Sequence, residues 1–117
     1  MANKINYHNR FFASQSNSEN GEVGDGTVFH YRQKGDVVWA TYEGGQILFG
    51  TLVAKVDEGG ALDMRYHHVN CAGELMTGRC RSTPELLPDN CLRLHESRQW
   101  TSGDNSAGTS VIEEIKR

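Results

Sequence analysis

Val28-Phe-His-Tyr-Arg-Gln-Lys-Gly-Asp-Val-Val-Trp-Ala-Thr-Tyr-Glu-Gly-Gly-Gln-Ile-Leu-Phe-Gly-Thr-Leu-Val-Ala-Lys-Val56 holds three runs rich in β-branched and aromatic residues, parted by Lys34-Gly35 and Gly44-Gly45. Such side chains suit a pleated, half-buried surface, and a two-residue break carrying glycine suits a primed hairpin turn with positive φ. The stretch predicts three strands joined by tight hairpins. The same beat continues on both sides, with turn signals at 18–26, 58–60, 71–73, 84–90 and 102–108. Seven turns then separate eight strand-like segments, the end ones being 5–12 and 110–116. No run of a dozen residues keeps a 3.6-residue period. Sequential antiparallel strands in so short a chain are most economically closed as an up-and-down barrel, which leaves no unpaired edge. The expected fold is all-β: a single antiparallel up-and-down barrel of about eight strands, whose bore admits packed side chains or one small ligand.

Length and composition agree. A chain of 117 residues with 37% hydrophobic content supports one core, so 1–117 reads as one domain, with 1–20 an N-terminal segment of weaker pattern. Lys and Arg number 12 against 15 Asp and Glu, a net charge of −3 without a basic cluster, which argues against nucleic acid and anionic membranes as partners. There is no apolar run of membrane-spanning length and no apolar core of a signal peptide at the start, so a soluble, cytoplasmic protein is expected. Cys71, Cys80 and Cys91 are odd in number and lack the close spacing of a zinc site; free thiols, no metal and no cofactor are expected.

Turn lengths also set a register. The two-residue loops place His30 opposite Trp39 and Trp39 opposite Gly50. The three-residue loops 58–60 and 71–73, each ending in glycine, pair Val56 with Leu62, Gly50 with His68 and His68 with Met76. One face then carries Val28, His30, Arg32, Val37, Trp39, Leu48, Gly50, Leu52, Ala54, Val56, Leu62, Met64, Tyr66, His68, Met76, Gly78 and Cys80. The other carries Phe29, Tyr31, Val38, Ala40, Tyr42, Ile47, Phe49, Val53, Asp63, Arg65, His67 and Arg79. The first is expected to be the interior because it stays apolar through the fourth and fifth strands, although a single bulge would exchange the faces. Phe29, Tyr31, Val38, Ala40, Tyr42, Ile47 and Phe49 would then form an exposed patch, and a homodimer packed through it is expected.

Candidate chemistry concentrates in Leu92-Arg-Leu-His-Glu-Ser-Arg-Gln-Trp100, where Leu92, Leu94, Glu96, Arg98 and Trp100 share a face. Charges on an inner face need partners. The plainer reading is a Glu96–Arg98 pair at the barrel rim. The sharper one is a ligand site in which Arg98 anchors an acceptor group, Trp100 stacks on the ligand, and Tyr66 and His68 complete a polar wall. His67 and His68 point to opposite faces and cannot bind one metal, while Cys80 and His68 lie too far apart along the ladder for a nucleophilic dyad. The loop 82–90, with both prolines, is the longest inner connection and reads as a cover or lid. A faint echo relates Gly45-Gln-Ile-Leu-Phe-Gly50 to Gly73-Glu-Leu-Met-Thr-Gly78.

Arg65-Tyr-His-His-Val-Asn-Cys-Ala-Gly-Glu-Leu-Met-Thr-Gly78, Cys80-Arg-Ser-Thr-Pro-Glu85, Leu92-Arg-Leu-His-Glu96 and Gln99-Trp-Thr-Ser-Gly-Asp104 resemble a family of small bacterial proteins, over about residues 21–115. The resemblance implies a small all-β barrel of the avidin-like, lipocalin-like (calycin) shape, without an established activity. Members often carry the label N-acetylglutamate synthase. An acetyltransferase of that kind needs an α/β fold and a Q/R-x-x-G-x-G/A turn before a helix to hold the coenzyme pyrophosphate. The nearest approach, Arg32-Gln-Lys-Gly-Asp-Val37, fails at its last position and leads into a strand. Three functions follow: a module binding a small polar or anionic molecule at Tyr66, His68, Glu96, Arg98 and Trp100; an enzyme using His68 or Glu96 as acid or base; or an interaction protein using its outer sheet.

Overall fold

A computed structural model describes residues 5–17, 21–24 and 26–116. The strands are β1 (Arg10–Asn17), β2 (Val28–Lys34), β3 (Val37–Gly44), β4 (Ile47–Val56), β5 (Leu62–Asn70), β6 (Leu75–Leu86), β7 (Leu92–Trp100) and β8 (Ala107–Ile115). Each pairs antiparallel with the next, and β1 with β8, so the sheet closes in chain order. The expected all-β up-and-down barrel is the observed one. No helix among the described residues is long and apolar enough to cross a membrane.

Two connections differ from expectation. Residues 82–86 are not loop: β6 runs to Leu86, with Ser82 opposite Glu96 and Pro84 opposite Leu94, so the connection shrinks to 87–91 and no long lid exists there. Pairing with β5 ends at Ser82, so the missing N–H of Pro84 interrupts no ladder on that side. At the N-terminus β1 begins at Arg10, later than expected. Residues before it close the adjacent barrel end: Tyr7 is fully buried, donates its hydroxyl to Gly60 O at 2.5 Å and gives its backbone N–H to Gln33 Oε1 at 2.8 Å. Below the barrel waist Leu62, Leu92, Leu94 and Ile112 fill the bore, each such side chain contributing about 1.5–3 kcal/mol by burial.

The register is right beyond the middle of β4 and inverted before it. Val56 faces Leu62, Gly50 faces His68 and His68 faces Met76, as the turn lengths require. The first hairpin turns on Gly35-Asp36, one residue later than expected, which moves His30 opposite Thr41 and leaves the faces unchanged. The next hairpin, on Gly45-Gln46, does change them. The ladder shifts between Tyr42 and Gly44 and again between Ile47 and Phe49, so Ile47 and Gly50 both point inward while Leu48 and Phe49 both point out, 57% and 50% exposed. Trp39 consequently faces Val53, and Tyr42 faces Gly50. Upstream of this bulge the interior is Phe29, Tyr31, Val38, Ala40 and Tyr42; downstream it is Leu52, Ala54, Leu62, Met64 and their successors. The expected outer patch is therefore core except for Phe49, and the argument for a homodimer through that face falls away.

Two inner positions are bare, and a tyrosine from a neighbouring strand lies across each. A Cβ on Gly50 would meet the Tyr42 ring, and one on Gly78 would meet the ring and hydroxyl of Tyr66. Gly50→Ala should lower stability to urea by about 1–3 kcal/mol through overpacking. Adding Tyr42→Ala should recover part of that loss in a double-mutant cycle, whereas adding Trp39→Ala should recover none; coupling to Trp39 would mean the bulge is misplaced.

Candidate functional site

The connections β1–β2, β3–β4, β5–β6 and β7–β8 gather at the end opposite Tyr7, and the bore behind them is not filled. It holds a narrow cavity of about 40 Å³. Small-ligand pockets span about 300–1,000 Å³, so a molecule larger than a few atoms enters this cavity only as its mouth widens. All five residues singled out from the sequence, Tyr66, His68, Glu96, Arg98 and Trp100, line it. They come together because β5 and β7 both lie downstream of the bulge, where the alternation read from the sequence is the true one.

One wall is aromatic. Trp100 meets the Tyr66 and His68 rings edge-on, each at 5.8 Å between centroids, and the Arg98 guanidinium carbon sits 6.0 Å from the Trp100 ring centre. Tyr66 Oη is buried and has no hydrogen-bond partner among the described residues. A buried hydroxyl left so costs about 1–3 kcal/mol, which a fold tolerates where something else meets the group.

Deeper in, Glu96 occupies a cross-strand row between Ser82 of β6 and Ser110 of β8. The Ser110 hydroxyl donates to Oε1 at 2.9 Å and the Ser82 hydroxyl to Oε2 at 3.0 Å. Glu96 and Arg98 thus sit inside the bore, not at its rim. Burial pushes the Glu96 carboxyl above its ordinary 4.5, against the pull of Ser110, Ser82 and the Arg98 charge. Burial likewise holds the Cys80 thiol and the Tyr42 and Tyr66 phenols well above their usual ranges, so all three stay protonated and none is a ready nucleophile.

At the mouth a polar chain crosses three elements. Tyr42 Oη lies 2.9 Å from His68 Nδ1, and His68 Nε2 lies 2.8 Å from Glu22 Oε1, a residue of the β1–β2 connection. A neutral His68 serves both contacts only with its proton on Nε2, accepting from Tyr42 and donating to Glu22. Asn70 Nδ2 donates to Glu22 Oε2 at 3.0 Å and to Glu74 Oε1 at 2.9 Å. His67 points outward to Thr51, His30 stacks on Phe11, His95 meets Glu85 and His8 accepts from Gln33 N, so the other histidines lie apart from His68. Among the described residues no three His, Cys, Asp or Glu side chains are grouped to hold a metal.

Sequence reasoning missed Tyr42, Glu22, Asn70 and the two serines. Tyr42 was assigned to the outer face, and Glu22 lay in a segment read only as a turn. Ser82 could have been found, since it follows Cys80 by two and shares its face.

A closed eight-stranded barrel with a cavity at one end defines a class of small β-barrel proteins. The family model described as avidin-like protein matches residues 5–115, and the chain belongs to that family. Neither the curated proteins nor the solved structures contain a significant match.

The raised Glu96 carboxyl has a consequence for stability. Between 4.5 and its higher folded value the folded chain binds more protons than the unfolded one, so this group's contribution is full below 4.5 and is lost as pH rises through the folded value. Glu96→Gln removes that loss. The unfolding free energy of the variant minus that of the wild type should climb from about pH 4 upward and then level. A flat difference across that range would show an unshifted carboxyl.

Proposed function

We propose that this protein is a binding module that takes one small molecule into the barrel end lined by Tyr66, His68, Glu96, Arg98 and Trp100. The observation that carries the reading is a cavity with an aromatic wall, into which a half-buried carboxyl and a buried guanidinium are brought by the register and beside which the Tyr66 hydroxyl lacks a partner among the described residues. A protein that served only as a scaffold would gain by filling that space with apolar side chains.

The lining describes the ligand. Aromatic and aliphatic walls favour a narrow, largely apolar body. Arg98 donates and Glu96 accepts, so the head group should offer both an acceptor and a donor, as an amide or a carboxylic acid does. Glu22 and Glu96 against Arg98 disfavour a multiply charged anion, which narrows the polar or anionic molecule expected from sequence to a singly charged or neutral one. An acid–base role for His68 fits less well, because both its ring nitrogens are engaged.

A thermal-shift screen over small carboxylic acids, amides and heterocycles tests the proposal, with biotin included because avidin-like proteins as a group suggest ligands of that kind. A ligand at a hundredfold excess over its Kd adds about 2.7 kcal/mol to folding. The expected hit is lost in Arg98→Ala and weakened roughly twofold to tenfold in Tyr66→Phe, the value of one hydrogen bond. A broad library without a hit, or a hit indifferent to both substitutions, would overturn the assignment.

A further inference from the structure

Among the described residues the cavity has one approach. Its side wall is a continuous ring of paired strands, and the far end is filled by Tyr7, Leu62, Leu92 and Leu94. At the near end β3–β4 and β5–β6 are tight hairpins. The β7–β8 connection is pinned to β6, with Thr77 N donating to Ser102 Oγ at 3.0 Å and Thr101 N to Thr77 O at 2.8 Å. The β1–β2 connection is the longest, spanning 18–27, and is the one connection that lends residues, Glu22 and Val23, to the cavity lining.

The contacts of Glu22 join the barrel wall to segment 21–24 of the β1–β2 connection. On the wall, His68 is fixed from behind by Tyr42. Asn70 is fixed by Glu74 and by accepting the N–H groups of Ala72 and Glu74 through Oδ1, at 3.0 and 2.9 Å. On the segment, Glu22-Val23 stands between Gly21 and Gly24, residues that turn at little steric cost. Its C-terminal base is held apart from Glu22: Thr27 N donates to Gly24 O at 3.0 Å and Thr27 Oγ1 to Gly44 O at 2.9 Å. Gly24 and Thr27 thus give the segment a fixed base, and the Glu22 side chain ties it to the wall, as in a hinged cover.

We propose that segment 21–24 is a hinged cover over the cavity mouth and that the Glu22 carboxylate is its latch, closing on His68 Nε2–H and Asn70 Nδ2. Release of the latch lifts Val23 off the core and opens the cavity to solvent. The idea builds on the reading of the cavity as a binding site, but the cover operates with or without a ligand, and its test needs none.

The chain has two tryptophans, of which Trp100 lines the cavity and is 5% exposed, while Trp39 lies on the outer face. In a Trp39→Phe background, acrylamide quenching reports entry to the cavity. With the latch intact Trp100 should be protected. In Glu22→Ala the quenching constant should rise about threefold or more, because two charge-assisted hydrogen bonds that hold the closed state are gone. Glu22→Gln, which keeps an acceptor for His68 but sets an amide against Asn70, should fall between. Ser102→Ala, which loosens the β7–β8 tie at the same end, should leave quenching unchanged. Circular dichroism confirms that each variant is folded, and Glu22→Gln decides alone if Glu22→Ala is not. Protection unchanged in a folded Glu22 variant overturns the cover, as does an equal rise in Ser102→Ala, which would mean that the whole barrel end breathes. If the Glu22 variants open and no compound stabilises the protein, the binding role fails and the cover stands; if compounds bind and Trp100 stays protected, the reverse holds.

Discussion

Tyr42 reaches across Gly50 to His68, and much of this barrel depends on that one contact. The ring fits only because position 50 has no Cβ, and position 50 faces inward only because the ladder slips at the β3–β4 hairpin. The slip lets β2 and β3 bury one alternation of their residues while β4 and β5 bury the other. The Tyr42 hydroxyl then holds the His68 ring at Nδ1, and His68 in turn meets Glu22 through Nε2 from the far side of the mouth. A packing constraint in the wall is thereby carried to the entrance of the cavity without any element that has only that purpose.

The strands and their order were legible because hairpin chemistry is local. Glycines at 35, 45, 60 and 73 all adopt positive φ, and the two three-residue loops set their pairings as their lengths require. Which face lines the bore was not legible before Gly50, because parity is a cumulative property: one extra residue at Leu48-Phe49 inverts every assignment upstream when the count begins downstream. Composition gave no warning, since both alternations of β2 and β3 carry large apolar side chains. The extension of β6 through Pro84 was hidden for a different reason. Proline argues against a strand unless one flank is unpaired, and that flank is set by where β5 ends.

The candidate site divides along the same line. Tyr66, His68, Glu96, Arg98 and Trp100 all belong to the part of the chain whose parity was correctly read, so their convergence followed from alternation alone. Tyr42 lies before the bulge and was assigned to the wrong side. Glu22 belongs to a connection, where no periodicity tells which way a side chain turns. The serines beside Glu96 show how a carboxyl among leucines can be kept: small hydroxyl residues on both neighbouring strands supply the donors that burial demands.

The sequence echo between residues 45–50 and 73–78 acquires a meaning from the two tyrosine-over-glycine pairs. Gly50 and Gly78 end the two copies, and each is roofed by a tyrosine, but the hydroxyls end differently. That of Tyr42 is committed to His68, whereas that of Tyr66 has no partner among the described residues. Exchange of residue 42 disturbs a network, but exchange of residue 66 disturbs mainly a shape. In a lineage of such barrels the scaffold should therefore tolerate exchange at position 66 more readily than at position 42, and the two positions should diverge at unequal rates.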